Sequence, residues 1–209
     1  VRRPVLVPDR FAERLGRCIT GLALFGLGIA CFVRSDLGLG PWDVYHQGLA
    51  DQLGVSIGSV VVGTGLVLLP VFVTLGVPMG IGTVLNTIEI GVTLDLWLLV
   101  APETDAAILR VGYLAAGLLV IGVGSGLYIG AGLGPGPRDG IMVGLARRGL
   151  SIRLARTLIE LTALTAGVLL GGSIGVGTAV FALGIGPIVQ WCLPRLAIRN
   201  DAPAHAAAP

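Results

Sequence analysis

Two stretches of this chain carry residue types that could do chemistry, and each is a copy of the other. The first runs Leu37-Gly38-Leu39-Gly40-Pro41-Trp42-Asp43-Val44-Tyr45-His46, the second Leu133-Gly134-Pro135-Gly136-Pro137-Arg138-Asp139-Gly140-Ile141-Met142. Each leads from a Gly/Pro-rich turn through an aspartate into a short apolar helix, expected over 42–53 and 139–149. Two readings of Asp43 and Asp139 stand side by side. As helix N-caps, their carboxylates accept bonds from backbone N–H groups that have no intrahelical partner. As parts of paired re-entrant helices, they line a substrate site. Arg138 occupies the position that Trp42 holds in the first copy, so one loop offers a cation and the other an aromatic wall. It reads as a contact for an anionic headgroup or substrate, as a partner of Asp139, or as a topogenic arginine. His46, a lone histidine, is expected near the outer interface in a surface role and not as a metal ligand.

A second set of candidates breaks the symmetry of the two copies. Asn86 and Glu89 lie three apart, on one face of an expected helix, where the second copy has Phe181 and Gly184. Arg156 and Glu160 stand four apart, against Val61 and Gly65 in the first copy. An ionisable residue within a membrane span is costly and marks function by default. Glu89 is the foremost such candidate, and its protonation would couple movement to a proton gradient. For Glu160 an intrahelical pair with Arg156 is an alternative. Gly80-Ile81-Gly82-Thr83 and Gly175-Val176-Gly177-Thr178 are a further matched pair, and their Thr83 and Thr178 are expected to cap the spans that follow.

The elements that must position these residues follow from composition. The chain is 54% hydrophobic and 12% charged, half the charged fraction of a soluble domain at about 25%. Apolar stretches near 17–35, 56–76, 81–100, 108–130, 154–171 and 175–194 are each long enough for a hydrocarbon core of about 30 Å. The expected fold class is therefore an all-α polytopic membrane protein of about six spans. All 14 basic residues are arginine, and ten of them cluster at 2–17, 147–153 and 195–199. These clusters flank spans and form no basic face with interleaved aromatics, which argues against nucleic acid as a partner. By the positive-inside rule all three are cytoplasmic.

Sliding the sequence on itself by 96 positions matches 24–50 to 120–146 with ten of 27 residues identical, Pro41/Pro137 and Asp43/Asp139 among them. The chain reads as an internal duplication. Three spans per copy make the second copy enter the membrane from the opposite side, so the repeats are expected to be inverted, with both termini inside. The organisation expected is a cytoplasmic segment 1–16, a first repeat 17–100, an external linker 101–107, a second repeat 108–194 and a cytoplasmic tail 195–209. Arginines followed by an apolar run, with Gly28-Ile29-Ala30-Cys31 in it, also resemble a lipoprotein signal. The repeat argues against cleavage there, because that segment has a counterpart in the second half. Cys18, Cys31 and Cys192 lack metal-ligand spacing and read as small buried hydrophobes.

With these motifs in hand, the chain resembles the YczE/YyaS/YitT family of bacterial membrane proteins, and more narrowly its YczE-like branch. The resemblance covers about 11–193. Its carriers are Leu37-Gly38-Leu39-Gly40-Pro41-Trp42-Asp43, Gly80-Ile81-Gly82-Thr83-Val84-Leu85-Asn86, Gly132-Leu133-Gly134-Pro135-Gly136-Pro137-Arg138-Asp139-Gly140, Arg156-Thr157-Leu158-Ile159-Glu160 and Gly175-Val176-Gly177-Thr178. It implies a multi-pass protein of the bacterial cytoplasmic membrane; it brings no activity and no site residue with it.

No nucleophile elbow, Walker loop or coenzyme fingerprint is present in the sequence, so neither enzyme activity nor a cofactor nor a metal is expected. The expected function is a small transporter or permease in the bilayer, with a homodimer as one form open to it. Its small-molecule or lipid substrate would bind between the halves at Asp43, Asn86, Glu89, Arg138, Asp139 and Glu160. The alternative is a non-transporting scaffold or regulator that docks a cytoplasmic partner through the arginine-rich surface at 138–156, Arg147 and Arg148 included.

Overall fold

The computed structural model describes residues 9–198, and within them the chain is helical with no strand. Arg2, Arg3, Arg199 and most of the expected tail at 195–209 lie outside the described residues. Eight helices follow in order: α1 Phe11–Ser35, α2 Pro41–Leu53, α3 Ile57–Leu75, α4 Ile81–Val100, α5 Ala107–Gly130, α6 Pro137–Arg147, α7 Ile152–Leu169 and α8 Val176–Leu196. Five of them, α1, α3, α4, α5 and α8, are long and apolar enough to cross a membrane. The sixth expected span corresponds to α7, which has 18 residues but is not among those five, since Arg153, Arg156 and Glu160 interrupt its apolar run. At 13 and 11 residues, α2 and α6 reach only about 20 and 16 Å at 1.5 Å per residue, roughly two-thirds and half of a bilayer core. The second ends at Arg147 and not at 149, because Gly149, at φ +102°, turns the chain.

Close packing of backbone on backbone holds the centre together. A Cβ on Gly21 of α1 would stand 2.6 Å from Tyr128 N and 2.7 Å from Gly124 O of α5. One on Gly28 would stand 2.9 Å from Gly117 O. These contacts are reciprocal, since the 96-residue offset turns Gly21 into Gly117 and Gly28 into Gly124. In lipid, where apolar side chains gain nothing by leaving the tails, such close approach is what favours helix association. The loops behave the same way. Gly82 donates its N–H to Leu133 O at 2.9 Å, and Gly177 donates to Leu37 O at 2.7 Å, so the loop after α5 seats on the start of α4 and the loop after α1 on the start of α8.

One relation is not reciprocal. α3 packs along α4 with Gly58 against Gly91 and Gly65 against Thr87, whereas α7 and α8 make no comparable contact. The residue types supply the reason: at the positions of Gly58 and Gly65, α7 carries Arg153 and Glu160, side chains too large to let two backbones meet. A cleft remains between α7 and α8.

The seam between α3 and α4 also depends on Asp95. Its Oδ1 accepts the N–H of Gly58 at 2.9 Å and its Oδ2 accepts the hydroxyl of Ser56 at 2.6 Å, so α4 caps the first turn of α3 from outside. Asp95→Ala is expected to cost about 1–2 kcal/mol, the scale of one lost cap plus one charged hydrogen bond. Thermal unfolding in detergent micelles reads this directly; an unchanged midpoint would show that the cap contributes nothing.

Candidate functional site

The starts of the two short helices are built alike. Proline takes the first helical position of each, where its missing N–H is no loss and its fixed φ suits the helix. The N-cap is Gly40 in one and Gly136 in the other, both extended and without a side-chain cap. Asp43 and Asp139 therefore sit one turn inside their helices and are not the N-caps that the sequence suggested. Their carboxylates are left to face the interior. Thr83 and Thr178 do act at helix starts, their hydroxyls accepting the N–H of Gly80 at 3.1 Å and of Gly175 at 3.2 Å.

Two cavities open around these helix starts. The first, about 60 Å³, lies among α1 to α6 and is lined by Trp42, Asp43, His46, Asn86, Arg138 and Asp139 with apolar neighbours. The second, about 170 Å³, lies among α5 to α8 and is lined by Ser125, Arg138, Asp139, Arg156, Glu160 and Gln190, again with apolar neighbours. Arg138, Asp139 and Tyr128 line both. They form the partition.

The partition is tied by specific bonds. Tyr128 donates its hydroxyl proton to Asp139 Oδ2 at 2.5 Å, Arg138 Nε stands 3.8 Å from Asp139 Oδ1, and the Arg138 guanidinium lies 5.4 Å from the centroid of the Phe25 ring. Carboxylate, phenol and aromatic face together hold one cation at the boundary. On the first-cavity side His46 is buried at 7% exposure, which corrects the expectation of a surface histidine: one turn beyond Asp43 on α2, it faces inward. Its Nδ1 stands 3.6 Å from Asp43 Oδ1, beyond hydrogen-bond reach. His46 Nδ1 and Trp42 Nε1 are buried with no hydrogen-bond partner among the described residues, and both side chains line this cavity.

The remaining candidates divide. Asn86 lines the first cavity, and its amide crowds Gly136 so closely that a Cβ there would come within 2.9 Å. Glu160 lines the second cavity and pairs with Arg156 at 3.5 Å. Glu89 lines neither; it is half-buried on α4. Asn86, Ile90 and Thr87 line the cavity over an arc of about 100° on α4, and Glu89 lies about 60° beyond Asn86 on the far side of that arc. Arg147 and Arg148 donate to the carbonyls of Gly76 and Thr74, at 2.9 and 2.5 Å, and so cap the end of α3 from within the chain. No group of three or more His, Cys, Asp or Glu able to hold a metal occurs among the described residues.

Tyr128 was not among the candidates read from the sequence, although a signal existed, since the 96-residue offset places Phe32 opposite it. The hydroxyl exists in one copy alone.

Comparison with known proteins places this architecture. A family of unknown function, DUF6198, matches over residues 12–194. An uncharacterised protein of Haemophilus influenzae is 38% identical over 179 residues, 84% of this chain and 81% of that protein. The uncharacterised membrane protein YczE of Bacillus subtilis is 33% identical, over 84% of this chain and 83% of its own length. The uncharacterised protein YyaS of the same organism is 28% identical, over 76% and 81%. No solved structure matches.

Proposed function

We propose a function for this chain, which belongs to the DUF6198 family of membrane proteins of unknown function, from its site alone: a small solute transporter that binds its ligand between two inverted halves. The observation that carries this reading is the meeting of two short helix starts, α2 and α6, at one cavity where charged and polar side chains stand among apolar ones inside an apolar helical body. Irregular backbone and ionised groups at membrane depth are tolerated where they line a cavity, and paired broken helices are the usual substrate site of inverted-repeat transporters.

The reciprocal glycine contacts and the two matched loop bonds support a pseudo-twofold relation between α1–α4 and α5–α8. With three spans in each half, such a relation sets the halves antiparallel in the bilayer, α7 serving as the sixth span. The arginine clusters favour cytoplasmic termini, and the resemblance favours the bacterial cytoplasmic membrane. In this scheme α2 and α6 are re-entrant, and Arg138, Asp139 and Tyr128 are the barrier between an outer and an inner cavity. Rocking of one half against the other would move that barrier across the ligand. The reading is of a carrier and not of an enzyme.

Wild-type protein in proteoliposomes should be stabilised against heat by one or more solutes from a metabolite and lipid library. Asp43→Asn should remove that stabilisation. Glu89→Gln should retain it, because Glu89 lines neither cavity; if Glu89 carries the coupling proton, that variant binds and fails only in uphill accumulation. A ligand affected by Asp43 and indifferent to Glu89 supports the site, and flux assays follow. A well-folded preparation that no solute stabilises would overturn the transporter reading and favour a protein partner.

A further inference from the structure

The first cavity already holds a cation, and the chain itself supplies it. The Arg138 guanidinium lies over the Phe25 ring at 5.4 Å and beside Asp139 at 3.8 Å, with Trp42, Asp43 and Tyr128 along the same wall. Aromatic faces combined with carboxylates are what a free organic cation requires of a protein. Even with Arg138 in place, two carboxylates around this cavity, Asp43 and Asp139, face one guanidinium.

A second observation points to a missing occupant. His46 is 7% exposed and its Nδ1 has no hydrogen-bond partner among the described residues, although Asp43 Oδ1 is only 3.6 Å away. Such a buried nitrogen is satisfied only when a water or a ligand reaches it. Trp42 Nε1, also buried and unpartnered, is a donor only and asks for an acceptor. About 60 Å³ leaves room for a few waters to meet that need beside a small cation.

Arg138 has somewhere else to go. It lines the second cavity too, where Glu160 faces it. Glu160 is held by Arg156 at 3.5 Å, but the Arg156 side chain is 54% exposed, and an exposed pair of this kind is weak.

We propose that the first cavity binds a small organic cation of the guanidinium or primary ammonium class, which takes the place of the Arg138 guanidinium between Phe25, Asp43 and Asp139 while Arg138 swings to Glu160. This rests on the ligand site between the halves and names its ligand class. The side chain and the ligand alternate as counter-charge, so the two carboxylates are never left buried without one, the costly state in a low-dielectric interior.

Arg138→Ala vacates the place. Purified Arg138→Ala should show saturable thermal stabilisation by guanidinium chloride at low millimolar concentration, matched by methylammonium chloride and absent with urea or sodium chloride. Wild type should need roughly tenfold more guanidinium, because its own arginine competes. Adding Asp139→Asn or Asp43→Asn to Arg138→Ala should abolish the response. Should Arg138→Ala not fold, Arg138→Gln, which keeps the side-chain bulk without the charge, takes its place. A variant that responds to guanidinium no better than to sodium chloride, or whose response survives loss of both aspartates, would overturn the proposal. Labelled methylammonium uptake by wild-type proteoliposomes then separates the two readings. Binding without uptake upholds the cation site and sinks the transporter; uptake of a different solute with no cation response sinks the cation site and spares the transporter.

Discussion

Gly124→Leu is expected to cause a large loss of folded, micelle-soluble protein and a lowered unfolding midpoint in what remains. A Cβ at Gly124 would lie 2.6 Å from Gly21 O and 3.0 Å from Phe25 N, and both neighbours are backbone atoms of α1 that cannot rotate away. The only relief is separation of α1 from α5, the pair that forms the centre of the body. Overpacking a core against movable side chains costs about 1–3 kcal/mol; against backbone on both sides the cost is at least about 3 kcal/mol. For a chain of this size that is a fall of roughly 6–12 °C in the unfolding midpoint, enough to remove a membrane protein of ordinary stability from the soluble micellar fraction. Gly112→Leu, on the same helix, meets nothing within 4 Å and should behave as wild type. Size-exclusion profiles and thermal unfolding in one detergent compare the two. Equal midpoints for both would mean that α1 and α5 do not pack through these glycines.

The glycines illustrate what a single sequence could and could not say. Gly26/Gly122 and Gly28/Gly124 were legible as a repeat because identity survives duplication. Their contacts were not, since reciprocal packing of Gly21 on Gly124 and Gly28 on Gly117 is a property of the pair of copies and of neither alone. Spans were legible because apolar length is local; α7 is the weakest of them for the same reason, its run being interrupted by Arg153, Arg156 and Glu160, of which the last two line the second cavity. The aspartates were misplaced by three residues. Pro at the first helical position and Gly before it give a helix start without a side-chain cap, and an Asp nearby looks like a cap until that geometry is known. Asn86 and Glu89 were grouped by spacing, yet the helix turns one into the cavity and leaves the other out. His46 and Tyr128 were underrated because the search for costly groups followed carboxylates and arginines and passed over an imidazole and a phenol. Both differ from their counterparts, Met142 and Phe32. Polar differences between the copies, ionised or not, were the better guide to the cavities, and Glu160, which stands where the first copy has Gly65, lines the second of them.

Asp139→Asn alone should be more damaging than Asp139→Asn combined with Arg138→Gln. In the single variant the Arg138 guanidinium keeps its charge beside Phe25 and loses the carboxylate at 3.8 Å, and Tyr128 exchanges an ionised acceptor for a neutral amide. Removing one partner of a fully buried pair costs about 3–5 kcal/mol, mostly because the other charge is stranded. The two side chains here are 31% and 34% exposed, so roughly 2 kcal/mol is the appropriate scale after screening. The double variant removes both charges together and should recover at least half of that loss, a coupling that a double-mutant cycle measures. Glu160 sharpens the expectation. With Asp139 neutral, the nearest remaining carboxylate on the other side of the partition is Glu160, so Arg138 has reason to leave the first cavity in the single variant. Adding Glu160→Gln to Asp139→Asn should then destabilise further, by more than Glu160→Gln does in the wild type. Strictly additive effects among Arg138, Asp139 and Glu160 would mean that the arginine does not pass between the two cavities, and that the partition is a fixed wall.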